Sequence, residues 1–235
     1  MFLQDVCPPE NYSTFRARGS IFRSKRLSPA SPGVILGSVS DETLASHVPA
    51  RLTAERYLAL VEEGVLEPDD RVELLEGIIV AREPQTPWHA SGVRWVFDAL
   101  AAALGSRALV TQQSPFIAGR RSVPEPDVFV VPGTRADYLG RHPDTAHLVV
   151  EVSDATLVQD RLTKSGVYAA AGVPEYWIVS RQGDHVVVAA HPIVGKRRYA
   201  VVRVARHGET ITLAAFPDVT LAVDDLLPPR DDSVD

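Results

Sequence analysis

Two short runs decide how this chain is read: Pro126-Asp127-Val128-Phe129-Val130-Val131 and Leu148-Val149-Val150-Glu151-Val152-Ser153. Each is a stretch of β-branched and apolar residues of the kind that predicts a strand buried on both faces. Each also carries one carboxylate, Asp127 ahead of the first run and Glu151 near the end of the second, so a paired arrangement presents two acids at one sheet edge. An ionised carboxylate in such surroundings is costly unless something positive meets it. Downstream, Asp160-Arg161-Leu162-Thr163-Lys164 opens a helical segment that brings Lys164 and Tyr168, four residues apart, to one face. Two acids and a lysine on adjoining elements have the composition of a divalent-metal site for phosphodiester hydrolysis.

Working outward, Thr53 is placed to cap a helix through Val61, with Glu55 in its first turn and Gly64 at its end. Val72-Glu73-Leu74-Leu75 and Ile78-Ile79-Val80 read as two strands turned at Glu76-Gly77, with Glu73 on the side of Leu75, an exposed strand carboxylate if it has no functional role. Apolar positions Val93, Val96, Phe97, Leu100 and Leu104 recur at helical spacing and Gly105 closes them, so a long amphipathic helix packs on the sheet. Its first turn holds His89, read as a capping or surface residue. Residues Ala108 to Ile117 read as one extended segment. The helix from about Asp160 stops at Gly172-Val173-Pro174. Glu175 to Val179 and His185 to Val188 are strands, and Tyr199 to Val204 with Ile211 to Leu213 reads as a β meander. The aromatic pair Tyr176-Trp177 suits core packing better than base stacking. The sum is an α/β or α+β architecture, a mixed central sheet flanked by helices.

Residues 1–47 are rich in Ser, Pro, Gly and Arg and are expected to be a mobile tail. Residues 48–228 carry enough apolar content for one domain, and residues 229–235 form an acidic frayed end. No apolar run approaches the ~20 residues that cross a bilayer, and no secretory h-region is evident. The lone Cys7 excludes an internal disulfide and a cysteine-rich zinc knuckle, so a cytoplasmic setting is expected. The net charge of −6 argues against a broad nucleic-acid surface. Basic patches are local, at Arg120-Arg121 and Lys196-Arg197-Arg198, and both also read as solvated turns. There is no HExxH, GxSxG, Walker or GxGxxG motif, and the seven histidines are scattered.

The ordered series Val72-Glu73-Leu74-Leu75-Glu76-Gly77, Pro126-Asp127, Glu151-Val152-Ser153, Asp160 with Lys164 and Tyr168, and Gly172-Val173-Pro174-Glu175-Tyr176-Trp177 resembles the bacterial Uma-two family of endonucleases, within the PD-(D/E)XK, restriction-endonuclease-like superfamily. The resemblance spans roughly His47 to Leu227. It implies a restriction-endonuclease-like fold and a DNA-cutting activity supported by Mg²⁺ or Mn²⁺. It further implies that Glu73, Asp127 and Glu151 hold the metal and that Lys164 assists the attack; if the two strands pair, the chemistry of Mg²⁺ adds the backbone carbonyl of Val152 to the acids. The superfamily's usual lysine stands two residues after the glutamate; Ser153 occupies that position, so the charge must come from Lys164 on the next helix.

From the residues alone two other readings stay open: a catalytically idle relative that keeps the fold as a binding module, and a metal-dependent hydrolase of a small phosphorylated substrate. Sequence preference and oligomeric state are also open, although a homodimer would set two sites against two strands.

Overall fold

The computed structural model describes residues 51–82, 85–153 and 158–227, without the side chains of residues 68 and 158–162. The expectations for residues 1–47 and 229–235, and for the Asp160 side chain, lie outside the described residues.

Among the described residues three α-helices and ten strands follow in order: α1 (Ala54–Glu62), β1 (Val72–Leu75), β2 (Ile78–Ala81), α2 (Pro87–Leu104), β3 (Leu109–Gln112), β4 (Val128–Val131), β5 (Leu148–Ser153), α3 (Val158–Ala170), β6 (Glu175–Ser180), β7 (His185–Ile193), β8 (Arg198–Ala205), β9 (Thr210–Leu213) and β10 (Phe216–Ala222). The central mixed sheet has the order β3-β4-β5-β6-β7-β8. Strands β5 and β6 pair in parallel and the other neighbours antiparallel. A parallel pair needs a crossover, and α3 is that crossover. The fold is the mixed α+β architecture the sequence predicts, a central mixed sheet of six strands flanked by helices.

Period-two alternation sorts the strand residues onto two cores. One face gathers Val128, Val130, Val150, Val152, Trp177 and Val179 under α2 residues Val93, Val96, Leu100 and Leu104, together with Ile211, Leu213 and Leu221 of the β9–β10 hairpin. The opposite face gathers Phe129, Val131, Val149, Tyr176 and Ile178 under α3 residues Val167, Tyr168 and Ala169. Glu151 has the parity of Val149 and therefore belongs to the α3 face. Tyr176 and Trp177 are both core residues, 2% and 0% exposed.

The caps follow the sequence. Thr53 accepts from the Arg56 amide at the start of α1, and Thr86 accepts from the His89 amide at the start of α2, with Pro87 in the first position. Gly64 and Gly172 both take the left-handed backbone expected just past a helix end.

Three expectations need correction. The extended segment Ala108 to Ile117 is a strand only as far as Gln112. Beyond it Gln113 turns left-handed and the chain bonds to the carbonyls of Pro126 and Pro124, which have no N–H to return, so a regular ladder cannot continue. The expected meander divides. Strand β8 completes the central sheet while β9 and β10 form a separate hairpin, redirected by a turn in which Glu209 bonds back to the Arg206 amide. Glu73 is not an exposed carboxylate: it is buried, at 3% exposure.

Candidate active site

Four segments distant in sequence deliver charged groups to one sheet edge. Strand β1 is held beside the loop before β4 by the reciprocal backbone bonds of Leu74 and Val123, and this sets Glu73 inward. Glu73 Oε2 accepts from the Glu125 amide at 3.1 Å. The other oxygen, Oε1, lies 3.1 Å from Lys164 Nζ. Lys164 Nζ also lies 3.3 Å from Glu151 Oε1, so the ammonium bridges two carboxylates from separate strands. The Tyr168 hydroxyl, one helical turn beyond Lys164, donates to the same Glu151 oxygen at 2.6 Å.

Asp127 sits just ahead of β4, 5% exposed. Its Oδ2 accepts from the Val152 amide at 2.8 Å and lies 3.1 Å from His89 Nε2. His89 is thus a largely covered partner of an acid, its side chain 16% exposed, rather than the capping or surface residue that a lone histidine suggests. Behind Glu73, Arg82 pairs with Glu125, a second addition to the predicted set. Sequence patterning held one faint signal for His89, its place in the first turn of a helix packed on the sheet. Neither Arg82 nor Glu125 left any.

The electrostatics follow from three acids and one ammonium sharing a dry edge. Burial pushes the Glu151 carboxyl up to about 7; Lys164 pulls the other way, while Asp127 and Glu73 add to the rise. Burial also opposes ionisation at Asp127, but the bond and charge of His89, the Val152 amide and Lys164 hold it below the usual carboxylate range. Lys164 is itself buried, yet Glu151, Glu73 and Asp127 keep its pKa above the ordinary lysine value. Burial, followed by the nearby Glu151, keeps the Tyr168 hydroxyl protonated well beyond the usual range.

The structure therefore brings Glu73, Asp127, Glu151, Val152 and Lys164 together. Among the described residues no three His, Cys, Asp or Glu side chains form a ready-made metal cage, because Lys164 stands between Glu73 and Glu151. The donor set nonetheless suits a hard divalent ion. It is carboxylate oxygen, the acids outnumber the ammonium, and Mg²⁺ uses one or two carboxylates with retained waters rather than a closed protein cage.

Residues 54–224 match the sequence model of the Uma2 family, described as "Putative restriction endonuclease". A crystal structure described as "a putative nuclease belonging to DUF820 from Anabaena variabilis" superposes with a TM-score of 0.61 at 16% identity, covering 75% of this chain and 97% of that one. At that identity the likeness is one of fold. No curated protein matches this chain. Among the described residues no helix is long and apolar enough to cross a membrane.

Proposed function

The chain belongs to the Uma2 family, and from that premise we propose that it is a Mg²⁺- or Mn²⁺-dependent endonuclease that hydrolyses DNA phosphodiester bonds. The carrying observation is the Lys164 ammonium, 3.1 Å from Glu73 and 3.3 Å from Glu151, on the edge that also holds Asp127. Asp127 and Glu151 would hold the ion, with Glu73 and the Val152 carbonyl beside them. When bound, such an ion polarises a phosphoryl oxygen and makes its water acidic enough to attack near neutral pH.

The remaining roles belong to the chain. Lys164 Nζ offers a fixed positive charge to the non-bridging oxygens, where negative charge grows during the reaction. Tyr168 holds one Glu151 oxygen in place by its hydroxyl bond. His89 and the Val152 amide fix Asp127 in one orientation, a support that metal-ligating carboxylates need. The surrounding apolar strands exclude water and keep these charges effective.

The test is incubation of supercoiled plasmid, linear duplex and single strands with Mg²⁺ or Mn²⁺, comparing the wild type with Asp127→Ala and Lys164→Ala. Nicking that vanishes in both variants and with chelator supports the reading. Equal activity in the variants assigns the cutting to a contaminant and overturns it.

A further inference from the structure

Two basic patches that lie far apart in sequence meet in the fold. Arg120 and Arg121, together with Arg197, line a cleft of about 570 Å³ whose remaining walls include Arg51, Glu76 and α3 residues Val167 and Ala170. Four guanidiniums thus face one carboxylate in a chain of net charge −6. That local excess is what an anion would relieve.

The cleft is built rather than incidental. Arg197 forms an ion pair with Glu76, and Arg51 donates to the Glu76 carbonyl at 2.8 Å, so the two outer arginines are tied to the β1–β2 turn. The segment carrying Arg120 and Arg121 is pinned through its backbone. Ala54 donates to the Arg120 carbonyl at 2.8 Å, Gly77 to the Arg121 carbonyl at 2.6 Å, and the Ser122 hydroxyl accepts from the Glu76 amide at 3.0 Å. Gly77 takes φ +82°, and a Cβ there would lie 2.6 Å from Arg51 Cβ, so the turn admits glycine alone without a shift. On this rigid platform the exposed side chains of Arg120 and Arg121 make no hydrogen bond or ion pair among the described residues. Arginine forks of this kind match phosphate oxygens in a bidentate manner.

Helix α3 links the cleft to the acidic edge. Lys164 serves the edge while Val167 and Ala170 line the cleft, one and two turns further on, or ~4.5 and ~9 Å along the axis. A nucleic-acid strand presents a phosphate about every 3.4 Å along a duplex axis, so a strand lying at Lys164 brings neighbouring phosphates to the cleft. We propose that the Arg51, Arg120, Arg121 and Arg197 cleft is a backbone-phosphate site that grips the nucleic-acid strand beside the point of cutting, an inference that rests on the nuclease reading above.

The experiment is fluorescence anisotropy with a labelled duplex oligonucleotide in chelator, across a salt series. It compares the wild type with an Arg120→Gln, Arg121→Gln double variant and with Arg94→Gln on α2 as a charge control. Two lost phosphate contacts weaken binding about tenfold each and lower the salt slope by about 2, while Arg94→Gln leaves both unchanged. Wild-type affinity and slope in the double variant overturn the cleft and leave the nuclease reading standing. Absence of any wild-type binding, with no plasmid nicking, overturns both. Inorganic phosphate that binds the wild type, is lost in the double variant and displaces no oligonucleotide marks a small-anion site and overturns the strand-gripping role.

Discussion

Tyr168 donates its hydroxyl proton to Glu151 Oε1 at 2.6 Å from within the same core face. That bond favours the ionised form of a carboxyl that burial has already pushed up to about 7. Tyr168→Phe removes it without opening a cavity. The acidic limb of the pH–activity profile is then expected to move to higher pH, by on the order of one unit. An unmoved limb would detach Glu151 from the rate-limiting protonation.

Lys164→Met tests the bridging ammonium. Removing it strands Glu73 and Glu151 in a buried setting, which typically costs about 3–5 kcal/mol. Urea denaturation at pH 7 should show that loss, and the loss should shrink toward pH 5 as Glu151 takes up a proton. The wild-type lysine keeps its charge across this whole range, because its pKa is raised, not lowered. A loss independent of pH would mean packing, not charge, is what the substitution removes.

The pH dependence of stability has a definite sign. Glu151 titrates near 7 when folded and in the ordinary range for an unfolded glutamate. Between those values the native state binds the extra proton, so stability falls as pH rises through the window, by about 3 kcal/mol at most. Asp127 acts oppositely and lower down: its depressed pKa stabilises above the unfolded value and is lost as acid titrates it. A divalent ion held by the ionised pair, as proposed, would cancel the Glu151 penalty. Thermal melts should accordingly show Mg²⁺ raising Tm more at pH 8 than at pH 5.5, and an equal or null effect at both would remove the metal from the site.

His89→Asn withdraws the imidazole from Asp127 while leaving the Thr86 cap intact, since that cap uses only the His89 backbone amide. Partners of this kind are worth about 10–100-fold in activity or metal affinity. Higher Mg²⁺ should recover part of the rate. Full activity at low Mg²⁺ would reduce His89 to a packing residue.

The pattern of the chain made some of this site legible and hid the rest for a reason. Asp127 and Glu151 stand at the ends of apolar runs, and strand period alone carries them to one edge. Lys164 and Tyr168 share a face through the helical repeat, so their common approach to Glu151 follows from spacing. Glu73 looked exposed because a short strand gives no clue to what covers it; the cover is the loop around Glu125, 52 residues away. His89 and Arg82 reach the edge from elements whose docking depends on the whole sheet, a relation no local period encodes. The arginine cleft was hidden in the same way, its halves lying on a loop before β4 and on the turn between β7 and β8.

The single parallel pair among the described strands also bears on the order of assembly. Glu151 and Lys164 lie 13 residues apart on one crossover, whereas Glu73 docks from a hairpin tied to the sheet by long-range bonds. Short loops close sooner than long ones, so the β5–α3–β6 unit is expected to pair before the β1–β2 hairpin docks through Leu74 and Val123. Val149→Ala should therefore slow refolding, while Leu74→Ala should mainly hasten unfolding, as stopped-flow chevrons would record.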